Sequence, residues 1–212
     1  MNIIKRPFKY RDDGTVYWII GINILIFVAI KFLGQNFSNF LTVRLAMIPL
    51  AVMQGWVWTF VTYMFMHNGF MHIFFNMLGL IIFGIPVEKQ MGSREFLLYY
   101  FVTGTLAGVL SFGVYYITRN YMVALMGASG ALFAVELAYA VLFPDSVLSI
   151  WGVIPLRAPV MVLGYTALEL VLSFTARNSN IAHLTHLAGF GIGWLYFMIR
   201  FGVNPWRRLT GR

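Results

Sequence analysis

Six apolar stretches of fifteen residues or more, separated by short polar turns, dominate this sequence and leave it few ways to fold. In a bilayer core no water completes unpaired backbone groups, so a spanning chain must be a helix or a closed barrel. Stretches of this length fit helices, since about 20 residues at ~1.5 Å each cross the hydrocarbon, whereas barrel strands are about half as long. The composition agrees: 60% of residues are hydrophobic and only 10% charged, against roughly a quarter charged in a soluble domain. The absence of cysteine removes disulfides, thiol catalysis and cysteine metal ligands.

The spans are predicted at Val16–Leu33, Phe70–Val87, Phe96–Ile117, Ser129–Phe143, Ala158–Thr175 and His183–Phe201. Gln35–Gln54, with Arg44 and Pro49, is too irregular for a span and is expected at the membrane interface, where Trp56 and Trp58 are at home. The expected fold is an all-α membrane protein, a six-transmembrane-helix bundle with both termini cytoplasmic. Its segments are a basic N-terminal piece (1–15), the membrane domain (16–201) and a basic tail (202–212). The first apolar stretch is too long for a removable leader and lacks a small-x-small cleavage site after it, so it is read as an uncleaved helix.

With a cytoplasmic N-terminus, that side collects Lys5, Arg6, Lys9, Arg11, Lys89, Arg94, Arg157, Arg200, Arg207, Arg208 and Arg212. The other side keeps Lys31, Arg44, Arg119 and Arg177. Eleven against four follows the retention of basic residues inside. The net charge of +8 therefore reports membrane orientation rather than nucleic-acid binding, and the lipid bilayer is the implied partner. Two pseudo-symmetric halves, the mark of many transporters, are not visible.

In this topology the second, fourth and sixth helices start on the extracytoplasmic side. Their first turns carry His72 with Asn76, Ser129, and His183 with His186; His67 lies near the same level. Intramembrane polar residues are costly and mark sites by default, with hydrogen-bonded packing as the competing explanation for any one of them. Ser129 stands in Met126-Gly127-Ala128-Ser129-Gly130-Ala131. Its fifteen-residue helix is about 22 Å long, short of a ~30 Å core, so the hydroxyl lies below the outer surface and needs a water-filled cavity to react. His186, Gly189 and Gly193 share one helical face, and Gly130, Ala134 and Ala138 share another. Small faces let helices approach closely enough for an imidazole to reach a serine. His72 and Asn76, four apart, share a face, and with the Ser129 backbone N–H they are candidate donors to an oxyanion. Glu136 lies about 10 Å deeper than Ser129. Glu136 and Glu169 are therefore read as protonated, hydrogen-bonded packing residues, and a serine–histidine dyad without a carboxylate as the more economical site. A histidine metal site or a transporter is the rival from another class. It lacks an H-E-x-x-H spacing and a carboxylate evidently near the histidines.

These residues resemble the rhomboid family of intramembrane serine proteases. The likeness rests on Gly127-Ala128-Ser129-Gly130, His186-Leu187-Ala188-Gly189-Phe190-Gly191-Ile192-Gly193, His72-Ile73-Phe74-Phe75-Asn76 and Val87-Glu88-Lys89-Gln90-Met91-Gly92-Ser93, in the family's order across about Trp56 to Trp194. It implies a rhomboid-like bundle with Ser129 as nucleophile, His186 as general base and acid, and His72, Asn76 and the Ser129 amide around the oxyanion. His183, preceded by alanine, is the alternative base; the glycines following His186 favour His186. No cofactor and no metal are implied. The partners implied are transmembrane substrates, cut near their extracytoplasmic end after lateral access between the second and fifth helices. The oligomeric state is left open. The expected location is a bacterial inner membrane, from the compact length without an organelle-targeting extension. A rhomboid-like binding protein without proteolytic activity is the alternative; it predicts loss of Ser129 or His186, and both are present. Two positions depart from the family pattern: Trp58-Thr59 stands where a Trp-Arg pair is common, and Phe133 where a tyrosine often stacks on the histidine.

Overall fold

The computed structural model describes residues 8–150, 153–175 and 180–211. Lys5, Arg6, Arg177 and Arg212, used above for orientation, lie outside them. In chain order the helices are α1 (Thr15–Phe32), α2 (Gln35–Leu45), α3 (Pro49–Met53), α4 (Thr59–Thr62), α5 (Phe70–Met91), α6 (Ser93–Ile117), α7 (Ser129–Leu142), α8 (Ala158–Thr175), α9 (Asn180–Tyr196) and α10 (Pro205–Thr210). Among the described residues, α1, α5, α6 and α8 are long and apolar enough to cross a bilayer, and α7 is a shorter apolar helix.

The shortest of these helices is the most enclosed. Eleven of the fourteen residues of α7 are buried, against four of eighteen in α1, so α7 is walled by protein on nearly every side. Its neighbours are α5, α6, α8, α9 and α10. It ends at Leu142, with Phe143 as its C-cap just before Pro144, which cannot continue a helix. Within α5 the turns widen to π geometry over Leu80–Gly84, immediately before Pro86, whose missing N–H and bulky ring disrupt regular α pairing.

The expected spans coincide with helices to within a few residues. Two other segments are more ordered than the sequence implied. Gln35–Gln54 contains α2 and α3, both too short to span. The polar stretch after α7 forms a two-stranded antiparallel hairpin, β1 (Val147–Ile150) with β2 (Ile154–Arg157), an exception to the all-helical expectation. Ion pairing between Arg157 and Asp145 accompanies it.

Both described chain ends gather at the bundle end opposite Ser129. The Glu88 carboxylate accepts hydrogen bonds from Thr15 N (2.6 Å), Thr15 Oγ1 (2.8 Å), Val16 N (2.9 Å) and Ser93 Oγ (2.6 Å), capping α1 from the end of α5. Gly92, with φ +89°, makes the tight turn into α6 that a side chain would strain. At the C-terminal end α10 folds back, where Arg208 Nε donates to Val141 O and Leu209 is buried. The buried Glu95 carboxylate accepts hydrogen bonds from Tyr196 and Arg200, tying α6 to the far end of α9.

Candidate active site

Ser129 is the first residue of α7, and the loop before it is pinned by main chain. Leu125 and Met47 exchange N–H···O bonds of 2.9 and 3.1 Å, and Gly127 N donates to Tyr63 O at 3.0 Å. Gly127 has φ +122°, and a Cβ there would come within 2.6 Å of His72 Nε2, so both backbone and space call for glycine. Tyr63, fully buried, donates to Gly104 O and fixes the other side of this junction.

α9 lies against α7 so closely that a Cβ on Gly189 would overlap the Gly130 carbonyl, and one on Gly193 would meet Ala134 Cβ at 3.0 Å. The predicted small faces are thus the contact between these helices. The approach brings His186 Nε2 to 2.7 Å from Ser129 Oγ, while Phe133 stacks on the imidazole with centroids 4.5 Å apart. One residue earlier on α9, Thr185 and Ser111 share a 2.6 Å hydrogen bond that ties α9 to α6. His183 Nδ1 is 2.6 Å from Glu169 Oε2.

Glu169, on α8, is expected as a hydrogen-bonded packing residue, and its carboxylate lies among the histidines. The same Oε2 lies 3.0 Å from His186 Nδ1, with all three side chains largely buried. The His186 contact is electrostatic, because the ring N–H is not aligned for a direct hydrogen bond. A carboxylate therefore does stand beside the histidines, and the donor atoms of Glu169, His183 and His186 lie within 4.8 Å of one another, a set that could hold a metal. A metal there would have to break the His183–Glu169 hydrogen bond, since ligands around tetrahedral zinc stand roughly 3.3 Å apart.

Two cavities meet at Ser129. One, of about 130 Å³, is lined by His72, Gly127, Ser129, Thr185 and His186, with Tyr63 and Leu125 behind them. The other, of about 490 Å³, runs between α5 and α8 and is lined by Asn76, Phe133, Glu136, Met161 and Tyr165, reaching Leu148 of the hairpin. His72 and Asn76 therefore face different cavities despite their i, i+4 spacing, and Ser129 is common to both. Asn76 Nδ2 gives one proton to His72 O at 2.7 Å, leaving its second N–H. His67 packs edge-on against His72, centroids 4.9 Å apart. Burial first, then the neighbouring His72, pushes its pKa down to about 3, so His67 is neutral at physiological pH.

Residues 54–203, more than half the chain, match the Rhomboid domain family. This chain is a member of the rhomboid family. It is 30% identical over 148 residues to the rhomboid-family protein YdcA of Bacillus subtilis, covering 69% of this chain and 68% of that one. It is 31% identical over 199 residues to RHOMBOID-like protein 12, mitochondrial, of Arabidopsis thaliana, covering 84% and 56%. It is 34% identical over 96 residues to Rhomboid protease GlpG of Salmonella choleraesuis, covering 45% and 34%. The chain thus spans about two thirds of the first of these relatives and less of the other two.

Where this rhomboid has Trp58-Thr59, the loop is anchored by other means. Trp58 Nε1 donates to Arg44 O at 2.9 Å, Thr59 Oγ1 to Trp56 O at 2.7 Å, and the Arg44 guanidinium lies over the Trp56 ring, 5.7 Å from its centroid. The cation comes from α2 rather than from the residue after the tryptophan. At the second departure, Phe133 does stack on His186, so the rhomboid aromatic contact needs no hydroxyl.

Proposed function

We propose that this rhomboid is an intramembrane serine endopeptidase that cuts transmembrane substrates near the extracytoplasmic face. The observation that carries the reading is the 2.7 Å contact between Ser129 Oγ and His186 Nε2 beside cavities that reach the hydroxyl. In this reading residues 16–201 are a six-span domain in a bacterial inner membrane, flanked by basic cytoplasmic segments at 1–15 and 202–212. The substrate comes in between α5 and α8, where the larger cavity lies.

Ser129 Oγ attacks the peptide carbonyl carbon as its proton passes to His186 Nε2, and the carbonyl π pair moves onto oxygen. His72, Asn76 and the Ser129 amide are the proposed donors to that oxyanion. Collapse breaks the C–N bond, and the leaving amine takes the proton from Nε2. Water, deprotonated by the same nitrogen, then hydrolyses the ester and restores Ser129. His183, whose Nδ1 contacts Glu169, is the alternative base.

The test is cleavage of a transmembrane reporter by purified protein in liposomes, comparing wild type with Ser129→Ala, His186→Ala and His183→Ala. The reading expects cleavage by wild type, none above background for the first two, and residual cleavage for the third. Full loss in His183→Ala with activity kept in His186→Ala would reverse the base. A folded wild type that cleaves nothing would favour a binding role.

A further inference from the structure

A neutral imidazole exists as two tautomers, and only the one with its proton on Nδ1 leaves Nε2 able to accept from a serine. A serine–histidine pair alone leaves that choice to the surroundings. Here the surroundings include one carboxylate oxygen, Glu169 Oε2, at 3.0 Å from His186 Nδ1 and 2.6 Å from His183 Nδ1. We propose that Glu169 is a positioning residue for the hydrolysis, held by His183 and in turn holding His186 with Nδ1 protonated and Nε2 directed at Ser129.

Three observations distinguish this from packing. The oxygen that His183 engages is the same one that faces His186, so His183 fixes the carboxylate in place rather than drawing it away. His186 Nδ1 is buried and makes no aligned hydrogen bond, so a small rotation of the ring or the carboxylate would satisfy a donor that is costly to leave orphaned. Phe133 covers one face of the imidazole, which leaves in-plane contacts at its two nitrogens, Ser129 at one and Glu169 at the other, to fix its orientation. When Nε2 takes the serine proton, the ring becomes a cation with a carboxylate about 3 Å away in a medium of low dielectric, which stabilises the charge as it forms. Glu169 takes no proton in this scheme; the proton moves only between Oγ, Nε2 and the leaving amine.

This inference rests on His186 being the base, and its test keeps the two apart. In liposomes, kcat and KM for the reporter are measured for wild type, Glu169→Gln and His183→Ala, with thermal unfolding as the control for folding. The expected result for Glu169→Gln is a kcat lower by about 10²-fold with KM unchanged, and for His183→Ala a smaller fall in kcat. Wild-type kcat in a folded Glu169→Gln overturns the inference, as does a change confined to KM; neither touches the proposal for Ser129 and His186. If Glu169→Gln does not fold, the ¹⁵N resonances of wild-type histidines decide. His186, assigned by its loss in His186→Gln, is expected as the Nδ1–H tautomer, and an Nε2–H tautomer overturns the inference.

Discussion

Phe133 and His186 lie face to face, their ring planes 7° apart and their centroids separated by 4.5 Å, although they come from different helices. A stacked pair of this kind contributes about 0.5–1.5 kcal/mol beyond its buried area. Phe133→Leu is therefore expected to lower the cleavage rate about 3–10-fold by loosening the imidazole, and Phe133→Tyr to keep it near wild type. Reporter kinetics on both variants check this; an unaffected Leu variant would show that the ring is merely a wall.

Gly189 is where α9 touches the main chain of α7. Gly189→Ala would drive a methyl group into the Gly130 carbonyl, one residue after the serine, whereas Gly191 has nothing within 4 Å of a Cβ. Overpacking of this kind costs about 1–3 kcal/mol. Thermal unfolding in detergent is expected to show a lower midpoint and lost activity for Gly189→Ala, with Gly191→Ala close to wild type.

Much of this site was readable because polarity is expensive in an apolar chain. Ser129, His72, Asn76, His183 and His186 stand out for that reason, and the helix register and small faces put His186 against Ser129. The separate cavities of His72 and Asn76 were not readable, since a shared face says nothing about which neighbours divide it. Glu169 reads as a packing residue in the sequence, because the level it shares with His186 depends on where the last two helices end and begin. It lies six residues before Thr175, the end of α8, and His186 lies six after Asn180, the start of α9. Equal counts on either side of a short connection between antiparallel helices put two residues at one level. The Arg44 contact on Trp56 and the β1–β2 hairpin depend on tertiary packing that no local pattern announces.

Glu88 predicts a stability effect far from the serine. Its carboxylate accepts four hydrogen bonds, including two from backbone N–H groups at the start of α1. Hydrogen bonds to a charged group contribute about 1.5–3 kcal/mol each, and orphaned buried donors cost more than absent ones. Glu88→Ala is expected to unfold at a clearly lower temperature, with Glu88→Gln intermediate; equal midpoints for all three proteins would contradict the capping role.

His67 predicts a pH effect. It is 3% exposed, and its folded pKa of about 3 lies below the ordinary value of 6.5. Between these values the unfolded chain takes up a proton that the folded one refuses. Stability is thus fully present above about pH 6.5 and falls as the pH drops, by up to about 1.4 kcal/mol per unit. Unfolding midpoints at about pH 7.5 and pH 5 should differ less in His67→Phe than in wild type.

The most direct test of the central claim is where a fluorophosphonate, which reacts with activated serine hydroxyls, becomes attached. Mass spectrometry of the labelled wild-type protein should find the adduct on Ser129, with labelling abolished in Ser129→Ala and strongly slowed in His186→Ala. An adduct on another residue, or labelling of Ser129 at the same rate without His186, would contradict the account.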